Sequence, residues 1–394
     1  MAAGSALLDW LSEQRWFAGK ARDPVAASVC AELEAGNGAL RIVEVAYAAG
    51  EPERYAMPTG GPLWGPLLRL LADGPRDGFH WRGSVPPTAT IERQLTVDQS
   101  NTSYVLDDRA LVKCYRRLWP GVHPEVELVT FLGDRFRGVP RALGAVHFAD
   151  GFEEYAVALL QELVPAAEDG WEWCQRLVAD AAAGAAIDNR WAAEVGALTA
   201  ELHEALGALG TRPASPSDLA ARREHAVRQV DAVEGFLPAE RQAQLRGGLA
   251  GLAGAGETML GRVHGDYHVG QLLRSGAGYS VIDFEGEPTR PLEERRALDS
   301  PLRDVASMLR SIDHVPLWAL REEPERHEVG AAWSSACRAA FLEGYGGRLD
   351  RPLLRALELE KAAYEFGYAE AFLPEWRPVA EAGLDMLLSR AVDE

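Results

Sequence analysis

Apolar residues in this chain change their spacing at Pro165, and that change restricts the fold more than any total does. Before it, short runs alternate with a period near two: Thr90–Val97, Ser103–Leu106, Ala110–Tyr115 and Tyr155–Val164. Such runs read as strands, with Asp107-Asp108-Arg109 as the polar turn between the second and third. One helix, Glu125–Phe131, interrupts them. After Pro165 the spacing is helical. Trp191–Leu206 sets Val195, Leu198, Leu202 and Ala205 on one stripe, the 3.6-residue period of an amphipathic helix. Further helices are predicted over 218–233, 242–252, 302–312, 329–345, 352–372 and 379–388. The chain's opening reads separately, with helical residues at Leu7–Leu11, a strand at Leu40–Tyr47, a Gly/Pro loop at Met57–Pro66 and a boundary at Pro86-Pro87. The expected architecture is α+β in three parts: a cap over 1–88, a β-rich lobe over 89–163 and a mostly helical lobe over 164–394.

Charge and cysteine usage narrow the class of partner. The net charge is −19, which disfavours nucleic acid and anionic membrane, since both need basic surface. It admits a nucleotide that arrives with its own divalent cation, and it favours a cationic small molecule. No apolar run approaches the roughly 20 residues that span a bilayer, and the N-terminus lacks the basic start and apolar core of a signal peptide. Cys30, Cys114, Cys174 and Cys337 lie far apart without metal-ligand or redox spacing, so buried, reduced thiols are expected. The expectation is a cytoplasmic protein, monomeric or weakly dimeric.

Two segments carry chemistry. The first, Val263-His264-Gly265-Asp266-Tyr267-His268-Val269-Gly270-Gln271, is a tight loop with an acid, histidines and an amide. The second, Val281-Ile282-Asp283-Phe284-Glu285-Gly286-Glu287, is an apolar run ending on acids. Asp266 and Asp283 are 17 residues apart, room for a turn and a short hairpin. One carboxylate that orients a hydroxyl, with an amide and a second carboxylate on Mg²⁺, is the equipment of phosphoryl transfer. His264 and His268 stand four apart without a third ligand of the right kind, so a transition-metal site is not expected.

His264-Gly265-Asp266, Gln271 and Asp283 resemble the catalytic and metal loops of the aminoglycoside-phosphotransferase-like kinases, which are related to protein kinases. Protein kinases carry Arg where this chain has Gly265, Asn where it has Gln271, and Asp-Phe-Gly where it has Asp283-Phe284-Glu285. Those departures point to a small-molecule kinase. Ile282-Asp283-Phe284-Glu285-Gly286-Glu287-Pro288, the Gln99-Ser100-Asn101-Thr102-Ser103 turn and the opening Arg15-Trp16-Phe17-Ala18-Gly19-Lys20 resemble, more narrowly, the actinobacterial maltokinases and glucosamine kinases.

The resemblance implies a bilobal protein-kinase-like fold with an N-terminal cap, and ATP and Mg²⁺ as cofactors. Asp266 is the implied catalytic base. Gln271 and Asp283 hold the metal, with Glu285 as a third ligand. Lys113, costly to bury unpaired in Leu111-Val112-Lys113, would contact phosphates and pair with Glu127 as first choice or Glu125 as second. Gln99, Ser100, Asn101, Thr102 and Ser103 would offer donors to phosphates, and the backbone of Gln161 to Leu163 would meet adenine, with the linker after Gln161 as the hinge. His264 and Asp304 would brace the catalytic loop. His268, Tyr364, Glu365 and Trp376 would contact the sugar, together with Asp266.

The acceptor is where the resemblance divides. Maltokinases phosphorylate the anomeric hydroxyl of maltose, and glucosamine kinases the 6-hydroxyl of glucosamine. This chain is shorter than the usual maltokinase. It carries Ala369-Glu370-Ala371-Phe372-Leu373-Pro374 in place of an Asn/Arg-containing segment, and Glu365, Glu370 or Glu375 would suit an ammonium group. Glucosamine is the expected acceptor and maltose the alternative, ahead of an aminoglycoside phosphotransferase or a kinase-like binding module without activity.

Overall fold

The computed structural model describes residues 2–14, 16–84, 88–95, 101–249, 252, 258–288, 290–347 and 349–390. The chain divides into two compact units, Met1–Asp134 with Val139–Pro165, and Arg135–Gly138 with Ala166–Glu394.

In the first unit, helix α1 (Ala2–Glu13) lies against strand β1 (Pro24–Ala35), which forms an antiparallel meander with β2 (Gly38–Tyr47) and β3 (Glu53–Gly60). Leu11, Phe17, Val43, Val45 and Tyr55 are buried together at its centre. Helix α2 (Trp64–Ala72) and strand β4 (Phe79–Gly83) follow, then β5 (Glu92–Gln94), β6 (Thr102–Leu106), β7 (Ala110–Cys114), β8 (Arg117–Leu118), helix α3 (Pro124–Leu132), and the long strands β9 (Ala142–Ala149) and β10 (Glu154–Glu162). The β6–β7 turn places Asp107 and Asp108 at φ 48° and 51°, the left-handed pair of a tight hairpin.

The two sheets of this unit exchange strands. The first has the order β1-β2-β3-β8 and the second β4-β9-β10-β7-β6-β5. Thus β4, from the opening segment, pairs with β9 more than fifty residues on, and β8 returns to pair with β3 at Arg54 and Tyr55. Met57–Pro66 is not the loop that its Gly and Pro content suggests. Pro58 stands in β3 opposite Leu40, beyond the two positions paired to β8, so its missing N–H interrupts no ladder on that side. Pro66 falls in the first turn of α2, where a proline costs no intrahelical hydrogen bond. Three cysteines are buried, but Cys30 is exposed: it lies on the edge strand β1 at a bulge between Val29 and Ala31.

The second unit holds β11 (Glu168–Asp169), α4 (Gly170–Ala182), α5 (Arg190–Gly207), β12 (Arg212–Pro213), α6 (Pro216–Ala232), α7 (Ala239–Gly248), β13 (Met259–Leu260), β14 (Leu272–Ser275), β15 (Gly278–Val281), α8 (Leu292–Arg296), α9 (Leu302–Ala319), α10 (His327–Tyr345), α11 (Arg351–Phe372) and α12 (Arg377–Ser389). Helix α9 is its axis, with every residue from Asp304 to Pro316 buried, as for a helix enclosed on all sides. It runs past the expected end at Ile312 with Pro316 inside it, because packing against α10, α11 and α12 holds the segment helical despite the missing N–H. Helices α5 and α10 cross at close range. A Cβ at Gly196 would stand 2.1 Å from the Phe341 carbonyl oxygen, and one at Gly344 2.0 Å from that of Ala193. Among the described residues no helix is long and apolar enough to cross a membrane.

Candidate active site

In the second unit, the loop His264–Gln271 lies between β13 and a hairpin, β14–β15, which fills the interval between Gln271 and Asp283. Asp304, fully buried at the start of α9, accepts the backbone N–H of His264 at 2.8 Å and of Gly265 at 2.9 Å, and meets His203 Nε2 at 3.1 Å. Burial alone would raise the Asp304 carboxyl. The hydrogen bond and charge of His203, with the loop N–H groups, outweigh it and hold the group below the usual carboxylate range. His264 ties the loop to the second segment through the Ile282 carbonyl at 2.9 Å, and its Nδ1 accepts the Asp266 N–H at 3.3 Å. Gly265 turns between them at φ 88°, a conformation open to glycine.

This bracing presents Asp266. Its Oδ1 meets Lys361 Nζ at 3.2 Å, and Oδ2 has no partner among the described residues. His268 uses both ring nitrogens within the loop: Nδ1 accepts the Gly270 N–H at 3.1 Å, and Nε2 lies 3.2 Å from the Gln271 amide nitrogen. Burial lowers its pKa, against the pull of the nearby Asp266 and Asp283 carboxylates. Gln271 Nε2 also donates to Asp283 Oδ2 at 3.2 Å. Carboxylate oxygens of Asp283 and Glu285 lie within 4.8 Å of one another. Asp283 takes φ 66°, a left-handed backbone that is uncommon outside glycine and concentrates at working sites. Two carboxylates and an amide, which can turn its oxygen inward by rotating 180°, form the oxygen-rich donor set that Mg²⁺ accepts.

Lys361 carries no role in the sequence reading, yet it sits at the centre of the charge network. It bridges Asp266 and Glu287, the second contact at 2.8 Å, over the Tyr364 ring at 4.8 Å. Glu287 also receives Arg290 Nε at 2.5 Å and Arg303 Nη2 at 2.7 Å. Burial pushes the Glu287 carboxyl up and the Lys361 ammonium pKa down. Their mutual attraction, with the two arginines on Glu287 and Asp266 on Lys361, reverses both shifts and keeps both groups charged. Glu365, one turn further along α11, is held by Arg310 Nε at 3.2 Å and approached by His314 at 3.6 Å, both on Oε2; Oε1 has no partner among the described residues. Trp376 packs between Trp171 and Trp318, with ring centroids at 5.4 and 4.5 Å.

In the first unit, Lys113 stands on β7 between β6 and β10, not on an edge, and pairs with Glu125 at 2.9 Å. The partner is therefore the second choice. Helix α3 begins at Pro124, so Glu125 turns into the unit at 1% exposure, where it also accepts the Tyr115 hydroxyl at 2.8 Å. Glu127 is two residues, about 200°, further around the helix. Asn101, Thr102 and Ser103 are buried, with the Thr102 hydroxyl accepting from Arg116 Nε at 2.8 Å. Gln99 and Ser100 lie outside the described residues. Strand β10 continues through Gln161, and the N–H groups of Glu162 and Leu163 donate to the carbonyls of Arg141 and Arg109, both at 2.9 Å. Those two donors are thus used within the unit, and the linker starts later, at Val164-Pro165.

A phosphotransferase enzyme family model matches residues 92–358, a span that holds Lys113, Glu125, Asp266, Gln271 and Asp283 together. The chain belongs to the phosphotransferase enzyme family. A maltokinase N-terminal cap domain model matches residues 10–61. This phosphotransferase is 36% identical over 327 residues to a glucosamine kinase of Mycolicibacterium smegmatis, covering 76% of this chain and 80% of the relative. It is 33% identical over 339 residues to a glucosamine kinase of Streptacidiphilus jiangxiensis, covering 79% and 76%. Its fold is similar to the solved structure of a glucosamine kinase in complex with glucosamine, ADP and inorganic phosphate, with a TM-score of 0.75, 28% identity, and 93% and 94% of the two chains covered.

Proposed function

We propose that this phosphotransferase moves the γ-phosphoryl group of ATP, with Mg²⁺, to the 6-hydroxyl of glucosamine. Asp266 carries the reading: a braced carboxylate with one oxygen held by Lys361 and the other open to an acceptor hydroxyl. The acceptor oxygen forms a new bond to phosphorus as the bond to the ADP oxygen breaks, and Asp266 Oδ2 takes the hydroxyl proton. Asp283, Glu285 and Gln271 would hold Mg²⁺, which neutralises charge on the phosphates. Lys113, held by Glu125, would contact the phosphates from the β-rich part. Support for an amino sugar comes from the two curated relatives and from the open Oε1 of Glu365, which suits an ammonium donor.

The test is ATP consumption with Mg²⁺ on glucosamine, glucose, maltose and kanamycin, with Asp266→Asn as control. Turnover on glucosamine, lost in the variant, is expected. Preference for maltose or kanamycin would overturn the acceptor, and turnover that survives the substitution would remove Asp266 from the chemistry.

A further inference from the structure

Helix α11 carries a row of aromatic side chains that begins at Tyr364, an expected sugar contact, and runs on to Tyr368 and Phe372, which the reaction above leaves unused. Tyr364, Tyr368 and Phe372 recur every four residues and so share one face. Successive ring centroids lie 6.0 and 5.0 Å apart. With Phe236, from the turn after α6, they line one groove of about 540 Å³. Phe236 is 53% exposed and Phe372 63%. A single exposed phenylalanine needs no explanation, but two lining one groove beside two tyrosines present flat apolar faces to whatever enters it.

The groove adjoins the proposed catalytic centre through Tyr364. Tyr364 lines it and also lies under the Lys361 ammonium, which touches Asp266. Apart from the two tyrosine hydroxyls, its polar lining is the Gln229 amide and Glu370, and Glu370 is tied to Arg377 at 2.6 Å. Such a lining offers few groups to the hydroxyls of a second sugar, and offers flat apolar faces instead.

We propose that this groove is an acceptor-side subsite for a flat apolar substituent, an aryl aglycone carried on the amino sugar. The inference rests on the amino-sugar kinase reading and extends its substrate class from the free sugar to its aryl glycosides. Phosphoryl transfer is unchanged, and the aglycone stacks along Tyr368, Phe372 and Phe236.

The experiment measures kcat/KM of the full chain, with ATP and Mg²⁺, on glucosamine, its methyl glycoside, its 4-nitrophenyl glycoside and the disaccharide of two glucosamines. The 4-nitrophenyl glycoside is expected to exceed the methyl glycoside by about tenfold, the worth of one good aromatic contact. Ala371→Trp fills the groove from an exposed position. It should bring that ratio close to one while glucosamine turnover stays within about twofold. Phe372→Ala should lower the ratio as well. A wild-type ratio of one, a ratio unmoved by Ala371→Trp, or glucosamine turnover with neither glycoside accepted overturns the subsite. Preference for the disaccharide over the nitrophenyl glycoside overturns the apolar occupant. Failure of the underlying reading is separate, since it shows as no turnover of glucosamine itself.

Discussion

Replacing Lys361 by Met tests whether the Asp266 carboxylate, the proposed base, is set by a residue 95 positions away in sequence. The Lys361 side chain is 13% exposed, and its ammonium bridges Asp266 and Glu287, the latter only 2% exposed. Removing one partner of a buried pair typically costs about 3–5 kcal/mol, because the other charge is stranded. Here Glu287 keeps Arg290 and Arg303, so the loss is nearer that of a charge-assisted hydrogen bond, about 1.5–3 kcal/mol. At about 2–4 °C per kcal/mol for a unit of this size, the melting temperature should fall by roughly 3–12 °C. Activity should fall further than stability. Asp266 would lose the contact that fixes its orientation and would face Glu287 without a cation between them, and a displacement of about 1 Å in such a group costs on the order of 100-fold. The assay is steady-state kinetics below the melting transition, with ADP affinity as the control. Expected is a kcat about 100-fold lower with ADP affinity within about threefold. A kcat near wild type in a folded Lys361→Met protein would refute the argument that this bridge sets the carboxylate.

Glu125→Gln should lower kcat/KM for ATP at least ~10-fold by removing the carboxylate charge that pairs with Lys113, while Glu127→Gln should change it less than about threefold; equal effects would contradict the pairing. A chain starting at residue 89 would lack β4 and leave the edge of β9 open, so it should aggregate on expression, as centrifugation would show. His147 and His314 have pKa values lowered to about 4, chiefly by burial, whereas the unfolded chain titrates near 6.5. Below pH 6.5 the unfolded state binds protons that the folded state refuses, so stability should fall between pH 6.5 and 4, by up to roughly 3 kcal/mol for each histidine. Denaturant titrations across that range check this, and a flat profile would contradict it.

That the two polar segments meet was legible because their signal is local: polar groups crowd into two short stretches, and a hairpin's length separates them. Most helices of the second unit were legible from their stripes. Strands β1, β3, β4 and β9, the two-residue strands β8, β11, β12 and β13, and helices α2, α4 and α8 were not. Strand β3 hides behind Pro58 and Gly60, and its strand character comes from pairing with β2, which no local pattern reports. Lys361 reads as a solvated lysine between Glu360 and Ala362, since its partners lie 74 and 95 residues away. Glu287 was visible as part of the second segment, but nothing local marks it as the anchor of three cations. The choice between Glu125 and Glu127 turned on where α3 begins, and Pro124 at its first turn was the available signal.

The exchanged strands also govern how this protein is made. A ribosome releases β4 long before β9, its neighbour in the sheet order. At about 5–20 residues per second, the 66 residues from Gly83 to Ala149 take roughly 3 to 13 s to synthesise. Through that interval the emerging N-terminal segment holds an unmatched strand edge. The first eighty residues therefore cannot finish folding as they emerge, and this stretch of the nascent chain is where a chaperone that shields open strands would have most to do.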